Sequence, residues 1–371
     1  MSRGVQDRDV PWRFRLGLFA LGIGTWVVQM AARGNPEWVE TLFARGLYPV
    51  VREVVGTLTG WTSFSFTEAG LILFASLLVY RLLRARRGVA RGARTWRNVG
   101  AHFVSGTLAL TGLFYAWGMF GWGFNYYRQP FLATENLDRT GITAQELQAV
   151  AFDLVDEANP LRRSVEEDDG GVMRTDDLPR RAIGRAGKAF ASLDVEYASL
   201  RDGFVSRPKG PVAPLLPWFG VSGVFFPYTG EAHVGLEQPP AGQLFAACHE
   251  LAHQLGWARE EEANFVGYAI CRRHPELDYR YAAAQGALRY VLHTLRAVDP
   301  DGAAAVTAAL DDGIVRDWEA SRTFWLAHDT FVGDAAERVN DAYLKAQGQE
   351  AGVGSYGLMV DLLVADRRRG R

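Results

Sequence analysis

Apolar residues follow two regimes along this chain. Up to about residue 125 they come in long uncharged runs, and beyond it they recur at helical spacing between charged positions. Residues 16–32 (LGLFALGIGTWVVQMAA) form an uncharged stretch just long enough to span a bilayer. A second stretch, 63–83, runs through LILFASLLVY, with Glu68 near one end and Arg81 near the other, where both can reach the interface. Residues 98–127 carry no ionisable acid or base apart from His102, and hold a third run rich in Trp, Phe and Gly. The pattern predicts three transmembrane helices, at about 15–33, 63–83 and 103–124. Arg13 and Arg15 ahead of the first run also suit a signal peptide, but no small-residue cleavage site follows, which favours an uncleaved helix.

The back half opens on Asn125-Tyr126-Tyr127-Arg128, whose Tyr pair reads as an interfacial anchor at the membrane exit. Thr143 and Glu146 form a capping box that starts a helix running to about residue 158, and another helix is expected over 179–193. The acidic run at 166–171 (EEDDGG) lacks the alternating ligands of a calcium loop and reads as a solvated turn. Pro and Gly punctuate 208–217, which should be loop or extended, and 221–228 (VSGVFFPY) reads as a short strand leading into TGEAHV. From 242 onward the spacing predicts helices at 242–255, 259–273, 277–298, 302–312, 315–328, 333–347 and 355–367. The expected fold is mainly α: a membrane anchor over 1–125, then a mostly helical α+β domain with a small sheet over 126–371.

Charge adds a direction. The formal net charge of −2 hides 14 basic against 6 acidic groups in residues 1–125, and 26 against 36 in the rest. An acidic back half argues against nucleic acid as a partner, and the basic front is explained by membrane topology. The segment 81–97 (RLLRARRGVARGARTWR) is densely basic and should face the cytoplasm, as should the arginine-bearing N-terminus. Three crossings from that side deliver the back half to the extracytoplasmic face of what should be a bacterial cytoplasmic membrane. Arg far outnumbers Lys, with much Ala and Gly, a hint of a GC-rich bacterial source. The two cysteines, Cys248 and Cys271, are too few for a disulfide framework, although they could bridge once; as small buried residues they need no further role.

One motif carries chemistry. In His249-Glu250-Leu251-Ala252-His253 the histidines stand at i and i+4, so both face one side of a helix and can grip one metal ion, Zn²⁺ by preference. Glu250 beside them suits the general base of a zinc hydrolase, and the apolar residues 244–247 continue the helix that the motif needs. A third ligand must come from another element, and Glu260, Glu261 and Glu262 compete for it. In such a site zinc acidifies a water, Glu250 takes its proton, and a donor steadies the developing oxyanion. Candidates for that donor are His233, Tyr228, Tyr268, Arg272 and His293, while His102, His274 and His328 have no supporting pattern.

Two resemblances extend this. The Glu-x-x-Ala-Asn pattern from Glu260 to Asn264 resembles that of gluzincin-type peptidases. The likeness implies Glu260 as the third ligand and Asn264 as acceptor of a ligand imidazole's free N–H. The whole chain resembles the bacterial membrane family catalogued as domain of unknown function 3810. The likeness rests on Asn125-Tyr126-Tyr127-Arg128, Pro227-Tyr228-Thr229-Gly230-Glu231-Ala232, His249 to Gln254, and Glu260 to Phe265. It implies that Glu231 lines the cleft, with a structural hydrogen-bonding role as the equal alternative; His233 departs from the family pattern, where Asn is expected. The resulting expectation is a zincin-like, membrane-anchored zinc metallopeptidase that acts on a peptide or protein substrate in the cell envelope. The alternatives are a membrane sensor or scaffold with a structural metal, and a cell-wall peptide amidase.

Overall fold

In the computed structural model, residues 11–93, 95–192, 197–200, 204–211, 214–347 and 356–370 are described. Three helices are long and apolar enough to cross a membrane: α1 (Trp12–Arg33), α3 (Phe66–Ala90) and α4 (Trp96–Gly121). They match the expected spans with shifted ends, and side-chain caps explain two shifts. Ser65 Oγ accepts the Glu68 N–H at the start of α3, and Thr95 Oγ1 accepts that of Asn98 at the start of α4. Past residue 83, α3 continues as a helix because Ala and Arg are strong helix formers; only its hydropathy changes there.

Helices α1 and α4 pack against each other at glycine. A Cβ on Gly112 would lie 2.3 Å from the Leu18 carbonyl oxygen, and one on Gly22 2.7 Å from Gly112 Cα. This close contact between backbones is the small-residue packing typical of membrane helices. By contrast, only 6% of the apolar window of α3 is buried, so nearly its whole circumference is open. The segment between α1 and α3, which carries no long apolar run, is largely helical: Pro36–Trp38, a π-helical stretch Val39–Leu47, and α2 (Tyr48–Gly60).

The back half contains α5 (Ala144–Arg162), started by the Thr143–Glu146 capping box, then a hairpin and seven further helices among the described residues. These are α6 (Pro240–Gln254), α7 (Glu260–Arg272), α8 (Leu277–Val298), α9 (Pro300–Ala308), α10 (Asp312–Ala327), α11 (Phe331–Ala346) and α12 (Tyr356–Arg368). The helix expected over 179–193 is broken into Pro179–Ile183 and a 3₁₀ stretch Ala186–Ser192, because Gly184 caps the first piece. Leu154, Leu251, Phe265, Tyr279, Tyr281 and Leu288 lie in one core joining α5, α6, α7 and α8.

Strands β1 (Gly223–Phe226) and β2 (Glu231–Val234) pair antiparallel, with Gly223 opposite Val234 and Phe226 opposite Glu231. Lys209 pairs with the other edge of β2, its N–H 2.8 Å from the Ala232 carbonyl. The outer edge of β1 therefore has no strand against it among the described residues.

Front and back share a second core. Phe43, Tyr48, Met119 and Trp122 pack with Tyr126, Ala258 and Leu344, so the boundary expected at 125/126 falls inside it. Beneath this core Arg128 makes a two-pronged ion pair with buried Glu40 at 2.9 Å and lies 3.8 Å over the Trp257 ring. Cys248 and Cys271 are both buried free thiols.

Candidate metal centre

Helix α6 buries Leu244, Ala247, Cys248 and Leu251, which leaves His249 and His253 together on another face. It stops at Gly256, whose φ of +89° is a left-handed conformation that glycine adopts without strain. The last carbonyls of α6 find donors from the front of the chain: Trp122 Nε1–H reaches His253 O at 2.7 Å, and the Tyr48 hydroxyl reaches Gln254 O at 2.6 Å. The chain then turns back so that α7 begins at Glu260, beside the histidines. Helix α7 comes close enough that a Cβ on Gly267 would lie 2.9 Å from His249 Cα.

Of the three competing glutamates, Glu260 meets the pair. Its carboxylate oxygens lie 3.4 Å from His249 Nε2 and 3.7 Å from His253 Nε2, and the two rings stand edge to face at 4.7 Å. One donor atom from each of His249, His253 and Glu260 falls within 4.8 Å of the others, so the group could hold a metal ion. Glu262 instead accepts the Phe131 N–H at 2.8 Å and pairs with Arg259. His253 Nδ1 sits 2.8 Å from the Trp257 carbonyl. A carbonyl can only accept, so Nδ1 carries the proton and, in the neutral ring, Nε2 offers its lone pair towards Glu260.

The electrostatics would suit a cation. Burial pushes the Glu260 carboxyl up, but the two histidines outweigh it and hold it well below the usual carboxylate range. Burial alone would lower His253, but Glu260 overrides it and, without a metal, the ring is pushed up to about 9. Glu250 is different: burial raises its pKa above the ordinary value against the pull of His249 and His253. Its Oε2 is buried with no hydrogen-bond partner. Strand β1 covers it, since a Cβ on Gly223 would lie 2.7 Å from Glu250 Oε1. Two imidazoles, a carboxylate and an unpartnered carboxylate oxygen next to them form a donor set that fits a zinc-type ion with an open position.

A second group, His274, Glu276 and Asp278, is also close enough to hold an ion, but its donors are already used. His274 Nδ1 accepts the Glu276 N–H and Nε2 donates to the Arg185 carbonyl, while both carboxylates pair with Arg185.

The other expected site residues lie elsewhere. Asn264 Oδ1 accepts the Tyr290 hydroxyl at 3.1 Å. Tyr228 packs on Phe114 of α4, and its carbonyl accepts from Trp117. Tyr268 stacks near Phe265 with the Arg272 guanidinium over its ring, and Arg272 pairs with Glu157. His293 lies on an exposed part of α8.

Of the two readings of Glu231, the structure shows the hydrogen-bonding one: it is clamped to the start of α3. It accepts the Phe66 N–H at 3.0 Å, the Thr67 N–H and hydroxyl at 2.7 Å each, and Lys209 Nζ at 2.6 Å. His233 joins this clamp, its Nε2 2.8 Å from Ser65 Oγ. No sequence spacing connects residues 65–67 to 231–233, so only the folded chain reveals the contact.

Burial lowers the pKa of both His233 and His274, so the folded chain resists charging them. Below the ordinary histidine value of 6.5 the unfolded chain binds protons that these rings refuse, and stability falls with pH; above it their contribution is constant. Thermal unfolding of the full chain in detergent and chelator should therefore show that going from pH 7.5 to pH 5.5 shifts Tm downward less in His233→Gln with His274→Gln than in wild type; His253, whose raised pKa acts in the opposite direction, is common to both. An equal shift in the two proteins would contradict it.

Sequence reasoning also passed over Tyr126. Burial, then the neighbouring Tyr343 and the charge of Glu260, push its hydroxyl far above the ordinary tyrosine range, and it bonds Tyr343. The Tyr126 carbonyl accepts from Arg259, just ahead of Glu260. The available signal was the Asn-Tyr-Tyr-Arg motif itself, read only for its position at the membrane exit.

A family model described as "Protein of unknown function (DUF3810)" matches residues 43–364. No curated protein and no solved structure matches the chain. The matched region takes in α3, α4, the hairpin and the whole His249–His253–Glu260 group, and with its three helices apolar enough to cross a membrane the chain belongs to the DUF3810 family.

Proposed function

We propose that this protein is a membrane-anchored, zinc-dependent peptidase whose hydrolytic site faces the extracytoplasmic side of a bacterial cytoplasmic membrane. The observation that carries the reading is the group of His249, His253 and Glu260 with the unpartnered, buried Glu250 oxygen beside it. Zinc bound there supplies a Lewis acid that lowers the pKa of water and polarises a carbonyl. Glu250, its pKa raised by burial, would accept the proton and return it to the leaving amine. The open edge of β1 offers main-chain groups to an extended peptide, and Gly223 brings that edge onto Glu250. The Tyr126 hydroxyl stays protonated and feels the charge of Glu260; bonded to Tyr343 in this structure, it would donate to a developing oxyanion by leaving that partner.

The proposed sidedness is supported by α3. The back half clasps its Ser65–Thr67 end, away from the arginines at 81–91. Basic segments stay in the cytoplasm, so the clasped end and the hydrolytic site lie outside. Arg33, at the end of α1, bonds the Ala346 carbonyl at 2.7 Å, which fits three alternating crossings.

The test is metal content and peptide hydrolysis by the full chain purified in detergent. One zinc per chain is expected, lost in His249→Ala and His253→Ala together with hydrolysis. A wild-type protein that takes up no divalent metal sinks the reading. A cell-wall peptide amidase would use the same groups, so both substrate classes belong in the assay. Gly223→Ala forces β1 and Glu250 apart, and is expected to lower kcat/KM by about a hundredfold with zinc retained.

A further inference from the structure

Six basic side chains, Arg180, Arg181, Arg185, Lys188, Arg207 and Lys209, line one cavity of about 830 Å³. No residue of the His249–His253–Glu260 group forms part of its wall. Three of the cations are neutralised within the fold: Lys209 by Glu231, Lys188 by Glu276, and Arg185 by Glu276, Asp278 and Asp177. The other three are not. Arg180 donates to the carbonyls of Gly210 and Pro211, which orients the guanidinium without cancelling its charge. Arg181 and Arg207 are exposed and have no ion pair among the described residues. Three guanidiniums with uncompensated charge on one cavity make a site for an anion with several acceptor oxygens, for which the guanidinium fork is suited.

The cavity's depth narrows the class of anion. Ser63 forms part of its wall, between Trp61 and Phe64, which are 79% and 56% exposed. Lys209, on the same wall, donates to the carbonyls of Thr59 and Phe64 just ahead of α3. Exposed aromatics at the mouth of a membrane helix sit at headgroup level. The walls also include Val205 and Pro208, apolar surface that a bare phosphate ion would leave unused.

We propose that this cavity binds the phosphate headgroup of an anionic membrane lipid, with the guanidiniums of Arg180, Arg181 and Arg207 on the phosphate oxygens. The inference rests on α3 crossing the membrane, as read above, and needs nothing of the hydrolytic site.

The test uses the full chain in neutral detergent, offered phosphatidylglycerol or phosphatidylcholine, with retained lipid counted by native mass spectrometry. Wild type should retain phosphatidylglycerol in preference. Arg181→Glu with Arg207→Glu should lower that retention by at least about tenfold, since each surface cation beside anionic lipid contributes roughly fivefold. Arg181→Lys with Arg207→Lys should keep most of it, and Arg322→Glu with Arg338→Glu, an equal charge change on α10 and α11, should leave it unchanged. Unfolding temperatures of the variants establish that the fold survives, and zinc content in the same samples reports on the hydrolytic reading separately. Equal retention by wild type and the 181/207 charge reversal overturns the proposal, as does an equal fall in the 322/338 control. Complete displacement of the lipid by millimolar inorganic phosphate overturns the lipid assignment in favour of a soluble phosphate ligand.

Discussion

Glu250→Gln is expected to leave the protein folded and loaded with zinc while lowering kcat/KM for peptide hydrolysis by about 10²–10⁴-fold, the range a positioned general base contributes. Glutamine keeps the shape and packing of the side chain under β1 but cannot take a proton. On the proposed reading the metal donors are His249, His253 and Glu260, which could together hold an ion, so zinc content should not move. The expected combination is unusual among point variants: full metal, unchanged unfolding temperature, and little residual hydrolysis. It separates a catalytic centre from a structural one, because a structural site would not depend on Glu250. Retention of full activity by Glu250→Gln would remove Glu250 from the mechanism even if zinc is bound.

Glu231→Ala should be the most destabilising of the substitutions considered. Glu231 and Lys209 form a contact at 2.6 Å with both side chains almost fully buried. Removing one partner strands a buried charge, which costs roughly 3–5 kcal/mol. It also leaves the Phe66 and Thr67 N–H groups at the start of α3 without their acceptor. Thermal unfolding of the full chain in detergent reads the loss directly. Pairing Glu231→Leu with Lys209→Met should restore part of it, since no lone charge then remains. If the single and double variants unfold at the wild-type temperature, the clamp is not what holds the hairpin to α3.

How much of this was legible beforehand depended on the range of each interaction. The three apolar helices and the helices after residue 242 could be read because hydropathy and helical spacing are local patterns. The His249–His253 pair was legible for the same reason. The choice of Glu260 among three adjacent glutamates was not local, and came from likeness to a peptidase pattern. In the fold it is decided by Phe131 and Arg259, which take up Glu262. Glu231 and His233 were read from their nearness in sequence to the motif, yet their partners at the start of α3 lie more than 160 residues away in the chain. Tyr126 was assigned to the interface because its neighbours in sequence are membrane residues, whereas its neighbours in space include Glu260. Gly223 gave no sign, since its role is to lack a side chain where β1 crosses Glu250.

The shared core has a consequence for how the protein can exist. Trp122 and Tyr48 supply the donors for the last carbonyls of α6, Glu40 holds Arg128, and Ser65 to Thr67 hold the hairpin. A cleavage near residue 125 would strip all of these at once from the half that carries the histidines. On the peptidase reading proposed above, the apolar front is thus no exchangeable tether: a fragment cut there would lose the supports of its site, and hydrolysis would be confined to what comes within reach of the bilayer surface.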